Sequence, residues 1–491
     1  MSPTSTTFAG SSGQEAAAWT ARPVVVGTTL IKQTPVLAAL IGVPAIAAVV
    51  EQEARLAIAL CLPTLALAIA GAWSRTLPPG EDLRRIEAVA TLALVFIIAA
   101  ILTLPAFMML GMRPLDALFE GVSGITTTGL SVATNAADWP ISGHFLRAWV
   151  HWCGGIVIAV AGVALLMGAS RAAMVLGRES LGDSDYLAST RAKARVILQG
   201  YTALTLVAIV GCTLLIPGWW EGTMIALAAV STGGFSPRDS SLADYSVAAQ
   251  AFTMLMCVAG AVSMLFYAMV LRRGLGPALR NGTVPATLAI AVAGTLIYSV
   301  TVGFTQGWDS ARLMQSALNF LSAQSTAGFS VAPVISAAGP AIVIMMVAMV
   351  IGGDVGSTTG GIKTGRVITL ALMIRQVLLR LRLPDSAVSH LKIGGERADA
   401  DQIIFATALA GVYALSVMVF WMLLLIGGHP ALPSLFDAIS ALSGVGHSSG
   451  VIGPDLAPWL KVATIVAMLL GRLEFFALII LFLPSTWISR R

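Results

Sequence analysis

One six-residue pattern recurs along this chain and limits what it can fold into. Ser325-Thr326-Ala327-Gly328-Phe329-Ser330 differs at a single position from Ser231-Thr232-Gly233-Gly234-Phe235-Ser236, and Thr126-Thr127-Thr128-Gly129-Leu130-Ser131 keeps its hydroxyl, glycine and serine positions. A fourth copy emerges from the preceding residues: Phe119-Glu120-Gly121-Val122-Ser123 begins ten residues before Gly129, and Phe436-Asp437-Ala438-Ile439-Ser440 begins ten before Gly446. The four glycines stand 105, 94 and 118 residues apart. These separations exceed any solenoid repeat and suit two membrane crossings with a re-entrant piece between them.

The rest of the chain supports that reading. It is 57% hydrophobic and 11% charged, with a mean hydropathy of +0.87, whereas a soluble globule carries about 25% charge. The long apolar runs are continuous rather than alternating, so each reads as a helix and not a barrel strand. Cys61, Cys153, Cys212 and Cys257 lie inside such runs without paired spacing, and read as small core residues rather than disulfides or metal ligands. The Ser/Thr-rich start lacks the basic and apolar regions of a cleavable signal, and reads as a cytoplasmic tail. The net charge of +5 reports loop asymmetry and not nucleic-acid binding.

Six segments follow: a tail over 1–34, a transmembrane hairpin over 35–80, and four pore repeats over 81–170, 171–280, 281–398 and 399–491. Each repeat contains a long apolar run, a half-length one leading into the glycine motif, and a second long run. The half-length pieces are Leu115 to Thr126, Trp220 to Val230, Ala311 to Gln324 and Pro433 to Val445. They are too short to cross and read as re-entrant pore helices. The chain is expected to be all-α, with about ten spans. Basic residues crowd the links between repeats, as in Arg171, Arg178, Arg191, Lys193 and Arg195 or Arg272, Arg273 and Arg280. Those links are therefore cytoplasmic, both termini are inside, and every glycine motif enters from the outer face.

A short helix aiming its partly negative C-terminus at the membrane centre, followed by extended backbone, is a cation-binding device, and four around an axis make a filter. Glycine allows the backbone to turn its carbonyls toward the ion. The preceding hydroxyls can cap the pore helix or add oxygen ligands. With no carboxylate inside the motifs, the expected ion is monovalent and weakly hydrated, potassium first. The filter is expected to comprise Thr127, Thr128 and Gly129; Thr232, Gly233 and Gly234; Thr326, Ala327 and Gly328; and Val445, Gly446 and His447. Potassium is expected at Thr128, Gly129, Thr232, Gly233, Thr326, Ala327, Val445 and Gly446. His447 either tunes conduction with pH or is held by neighbouring polar groups.

Two further features stand out. The last long run of the third repeat is interrupted by Gly352, Gly353, Asp354, Gly356, Ser357, Thr358, Thr359, Gly360 and Gly361, ahead of Lys363 and Arg366. Each interior glycine costs a helix about 1 kcal/mol, so the helix is expected to break there. A phosphate-binding loop is excluded because Ile362 separates Gly361 from Lys363, which spoils the required spacing. Arg472 is an intramembrane arginine, expected to be functional and to have a partner other than Glu474, two residues on.

These motifs, with Trp152-Cys153-Gly154-Gly155 and Gly471-Arg472-Leu473-Glu474, resemble the TrkH/KtrB potassium transporter family over nearly the whole chain. The N-terminal hairpin makes it more similar to the TrkH branch. Gly444-Val445-Gly446-His447 departs from the Asn-x-Gly-Pro-Gly form often found in the fourth motif, and Leu130 from the usual residue after the first glycine. The resemblance implies that the four glycines form a potassium filter and that the glycine-rich loop gates beneath it. It also implies that Arg472 enters the pore and contacts that loop, although an interhelical ion pair is the other reading. It further implies a homodimer in the bacterial inner membrane, with a TrkA-like cytoplasmic nucleotide-binding ring and no organic cofactor in this chain. The alternatives are a potassium symporter coupled to protons or sodium, and an intramembrane enzyme using Asp354, His151 or His447, for which no paired spacing exists.

Overall fold

The structure is a computed structural model describing residues 20–78, 83–162, 186–280, 283–334, 338–384, 392–393, 396–397 and 400–488. Residues 1–19 of the expected tail over 1–34, and the basic residues Arg171 and Arg178, lie outside the described residues; the rest of that stretch is helical from Pro23. Among the described residues, seven helices are long and apolar enough to cross a membrane, and two bent pairs add to them. The fold is all-helical apart from a short ribbon pairing Lys392–Ile393 with Glu396–Arg397.

Helices α1 (Pro23–Lys32) and α2 (Thr34–Val50) form one span, and α3 (Ala54–Ser74) returns beside it. The first span thus starts at Pro23, well before the expected Pro35, because Pro23 at the first helical turn suits a start. Arg22 anchors it, binding the buried Glu87 through its guanidinium at 2.7 and 2.9 Å. Ala21 N–H also donates to the Thr486 carbonyl at 2.7 Å, so the two ends of the described chain meet.

The first repeat is α4 (Arg85–Met109), α5 (Pro114–Ile125) and α6 (Ile141–Ala161). The second is α7 (Tyr186–Leu215), α8 (Trp219–Val230), α9 (Val247–Gly260) and α10 (Met264–Arg273), with α11 (Leu275–Arg280) leading out. The third is α12 (Val284–Gln306), α13 (Ser310–Gln324), α14 (Gly339–Ile351) and α15 (Thr364–Arg380). The fourth is α16 (Ala400–Ile426), α17 (Ala431–Ser443), α18 (Pro458–Arg472) and α19 (Phe476–Phe482), with the short α20 (Pro484–Trp487) after it. The pore helices α5, α8, α13 and α17 contain 12, 12, 15 and 13 residues. That makes them roughly 18–22 Å long, against a hydrocarbon core of about 30 Å.

Three last helices of the repeats are broken, where the sequence reading placed one break. The pairs α9/α10 and α18/α19 bend by 85° and 116°, in runs expected to be continuous. The reason is tertiary. The carbonyls of Gly260 and Ala261, released at the α9/α10 bend, accept N–H groups of the loop between α14 and α15. At the other bend Glu474 and Phe475 adopt left-handed φ of 51° and 62°. Helix α17 ends at Ser443, two residues before the expected Val445, because Gly444 is left-handed. Cys61 is exposed on α3 rather than part of the core.

Small residues bring the helices together. A methyl group on Gly154 of α6 would lie 2.0 Å from the Ile125 carbonyl oxygen, on Gly260 of α9 2.6 Å from that of Val230, and on Gly471 of α18 1.9 Å from that of Leu442. In each case the helix after the glycine motif presses backbone to backbone on the last turn of the short helix before it, a contact that small residues permit within membranes. The outer helix α3 has 17% of its apolar window buried and α6 has 61%, so α6 is the more interior. Gly154→Ala is expected to lower the detergent melting temperature, overpacking costing about 1–3 kcal/mol. Gly162→Ala, with no heavy atom nearer than 3.7 Å, is expected to leave it unchanged.

Candidate functional site

All four pore helices end by the same chemistry. The N–H groups of Thr127, Thr232, Thr326 and Gly444 donate to the carbonyls of Gly124, Ala229, Ala323 and Ala441 at 3.0–3.3 Å. Those of Thr128, Gly233, Ala327 and Val445 reach back to Ser123, Ala228, Ser322 and Ser440 at 2.8–3.0 Å. This is the Schellman closure, which needs a left-handed residue at its turn. Gly444 supplies it in the fourth repeat with φ 62°, and threonine does so in the others at 50–52°. A β-branched residue there is a true outlier, costing of order 1–3 kcal/mol, and such strain collects at functional sites. The unusual fourth motif is thus the one with the relaxed turn.

Two residues on, Gly129, Gly234, Gly328 and Gly446 again have positive φ, from 75° to 92°. A methyl group on Gly129 would lie 2.1 Å from the carbonyl oxygen of Gly233; on Gly234, 2.3 Å from that of Ala327; on Gly328, 2.1 Å from that of Val445; on Gly446, 2.1 Å from that of Thr128. Each loop abuts the next and the fourth returns to the first, a closed ring of four strands of backbone. Both signals, positive φ and contact, place Gly446 in register with the other three.

The hydroxyls divide their tasks. Thr126, Ser231 and Ser325 bond back to the pore-helix carbonyls of Val122, Leu227 and Leu321 at 2.7–2.8 Å. Thr232 Oγ1 donates to the Thr358 carbonyl at 3.0 Å, and Thr326 Oγ1 accepts from Gly360 N–H at 2.9 Å. Thr127 Oγ1 is buried with no partner among the described residues. His447 lies behind the ring, its Nε2 3.1 Å from Ser322 Oγ and 3.2 Å from the Phe329 carbonyl. It is held by the third repeat.

A further set of residues, of which only Glu120 and Asp437 stand in the motifs quoted above and without a role, supports the loops from outside. Nine residues before the ring glycines stand Glu120, Asn319 and Asp437, all buried, with Ile225 in the second repeat. Glu120 accepts from Ser131 Oγ at 3.0 Å and pairs with Arg147 at 2.8 Å. Asn319 accepts from Val331 N–H at 2.9 Å and donates to Ala332 at 3.0 Å. Asp437 accepts from Ser448 Oγ and from the N–H groups of Ser449 and Ile452 at 2.6–2.9 Å. The common spacing was the signal.

Beneath the ring, the loop Gly352 to Lys363 is tied to three repeats. Asp354 N–H donates to Ala261, Thr358 N–H to Gly260 and Gly361 N–H to Ser443, at 2.9–3.2 Å. The Gly352 carbonyl accepts from Gln324 Nε2 at 2.7 Å. Gly353 N–H donates to Thr359 Oγ1, and Ser357 Oγ to the Asp354 carbonyl; Thr283 donates to the Asp354 carboxylate. The buried Lys363 turns back on the Thr359 carbonyl and hydroxyl and starts α15 from a left-handed φ of 81°. Arg472 Nη1 donates to the Thr358 carbonyl at 2.8 Å, while its Nε and Nη2 have no partner among the described residues. Glu474 pairs with Arg366 at 2.7 Å. The interhelical ion pair in this region is therefore Arg366–Glu474, and Arg472 meets the loop. A cavity lined by Gly356, Ser357, Gly361, Lys363 and Arg472 opens beside it.

A chain of apolar helices around four re-entrant backbones that close on one another, with cations buried below, defines a membrane transport protein. A family model described as TrkH, cation transport protein, matches residues 82–276 and 297–491. The Trk system potassium uptake protein TrkH of Halomonas elongata is 30% identical over 394 residues, 77% of this chain and 80% of that protein. The Escherichia coli K12 protein of the same name is 27% identical over 76% of this chain and 79% of its own length. The crystal structure of the potassium transporter TrkH from Vibrio parahaemolyticus matches with a TM-score of 0.82, covering 94% of this chain and 100% of that one at 23% identity, a likeness of fold. The chain belongs to the TrkH family of cation transport proteins, and is a transporter rather than an enzyme.

Glu120→Ala is expected to strand the Arg147 guanidinium, itself 6% exposed, and to cost about 3–5 kcal/mol. It should appear as loss of monodisperse protein in detergent; an unchanged melting temperature would count against the support role.

Proposed function

We propose that this chain carries potassium into the cell across the bacterial inner membrane through the ring at Gly129, Gly234, Gly328 and Gly446. The observation that carries the reading is the closure of that ring, with each glycine against the carbonyl of the next repeat. Neutral carbonyls of Thr128, Gly129, Thr232, Gly233, Thr326, Ala327, Val445 and Gly446 replace the hydration shell of a monovalent cation without holding it too tightly to leave. The pore helices add their negative ends, and the unpartnered hydroxyl of Thr127 is available as a further oxygen ligand. The names of the relatives, potassium uptake proteins of the Trk system, favour potassium as the cargo. The driving force is the membrane potential, about 2.3 kcal/mol per charge at 100 mV.

The loop from Gly352 to Lys363 is the gate in this reading, and Arg472 is the charge that repels cations while it is closed. Opening breaks the bonds from Thr358 to Thr232 and Arg472. Both termini face the cytoplasm, and the basic links between repeats receive a TrkA-like nucleotide-binding ring on a homodimer, as the resemblance to the TrkH family implies.

Gly328→Ser places a side chain against the Val445 carbonyl at a residue of φ 75°. It is expected to lower potassium over sodium discrimination roughly tenfold, about 1.4 kcal/mol, in reconstituted flux; unchanged selectivity would remove the filter assignment. Arg472→Ala is expected to raise potassium flux, and a lower flux from normally folded protein would remove its gate role.

A further inference from the structure

The position before the ring glycine carries a side chain in three repeats, Thr128, Ala327 and Val445, and none in the second, where it is Gly233. Backbone conformation does not demand this, since Gly233, unlike its neighbour Gly234, is absent from the residues with positive φ. What excludes a side chain is His151. A methyl group on Gly233 would lie 2.6 Å from both Cγ and Nδ1 of its ring.

His151 belongs to the first repeat and is fully buried. It stands three residues before Gly154, the glycine of α6 that presses on the first pore helix. Cys257 and Met468 stand three before the matching Gly260 and Gly471 and are equally buried, so only the first of these three repeats places a ring there. Its Nδ1–H donates to the Gly124 carbonyl at 2.9 Å, and its ring centroid lies 4.1 Å from that of Phe235, next to Gly234. One helical turn away on the same face, Arg147 holds its guanidinium 3.9 Å over the other partner, the Phe235 ring. The second filter loop is therefore clamped from outside by two side chains of the first repeat, and one of them occupies the space its own missing side chain leaves.

We propose that His151 is a specificity-determining positioning residue, a brace from α6 of the first repeat that fixes the backbone of the second loop at Gly233. The proposal rests on the filter reading above. A ring that must match an ion through carbonyl positions is sensitive to any one of its four members, and at Gly233 the backbone has no side chain of its own and meets one from a neighbouring repeat.

The test is the potassium-to-sodium permeability ratio of the full chain in proteoliposomes, for His151→Ala, Gly233→Ala and the double variant, with Gly328→Ser as reference. His151→Ala should lower the ratio by roughly threefold or more, the scale of coupling between residues in contact, with potassium flux retained. Gly233→Ala should abolish selective flux, and adding His151→Ala should restore part of it, because the methyl group then enters the space of the ring. A parental ratio in His151→Ala alongside a shifted Gly328→Ser overturns the brace and leaves the filter. A shift in neither overturns both. Additive losses in the double variant also overturn the brace. Where His151→Ala does not give monodisperse protein, His151→Asn, which keeps an N–H near the Nδ1 position without the ring, is read by the same ratio: a shift supports the brace and a parental value overturns it.

Discussion

Non-helical backbone at membrane depth has to find its hydrogen-bond partners within the protein, because hydrocarbon offers none. This chain places five such stretches together, the four motif loops and the loop between α14 and α15, and lets them satisfy one another. The breaks in α9/α10 and the end of α17 release carbonyls at Gly260, Ala261 and Ser443, and the loop between α14 and α15 donates to all three. Breaks and loop are thus halves of one arrangement. Straightening α9/α10 would strand Asp354 and Thr358 N–H groups, and withdrawing the loop would strand the carbonyls.

The same economy joins the ring to the layer below it. Three threonines accept an unfavourable left-handed turn, and two of them, Thr232 and Thr326, use the side chain so exposed to bind Thr358 and Gly360. Glycine in those places would relax the backbone and remove the contact, as in the fourth repeat at Gly444. Thr358 is the meeting point: its carbonyl accepts from Thr232 and from Arg472, and its hydroxyl lies 3.0 Å from the carbonyls of Val230 and Gly260. A change in the charge or position of Arg472 is therefore felt one bond away from the ring.

The identical sequence repeats do not make identical environments. Support at the spacing of nine residues is a carboxylate paired with arginine in the first repeat, an amide in the third, a carboxylate on backbone N–H groups in the fourth, and apolar Ile225 in the second. The second loop instead leans on Arg147 and His151. Fourfold geometry is reached by four different sets of contacts, which is how one chain can hold a near-symmetric ring without symmetric subunits.

Much of the membrane design was legible in one dimension. Apolar runs marked the long helices, apart from the start of the first at Pro23 and the bends near Ala261 and Glu474; half-length runs matched the short helices to within two residues, and the spacing from Phe436 and Asp437 pointed to Gly446 although its motif departs from the others. Glycine density located the break after Ile351. Each of these signals is local, since helix length, propensity and turn chemistry depend on neighbours in sequence. What the sequence could not specify were contacts between residues far apart along the chain: the bends at Ala261 and Glu474, the sharing of Thr358, the ion pair of Glu474 with Arg366 instead of Arg472, and the glycine at 233. Gly233 differs from Ala327 by one methyl group, and only the fold places His151 against it. The sequence by itself determined that four short helices each run into a glycine turn between long apolar helices. Only the tertiary structure decided which carbonyl each glycine meets, because that depends on which repeats become neighbours once the helices pack.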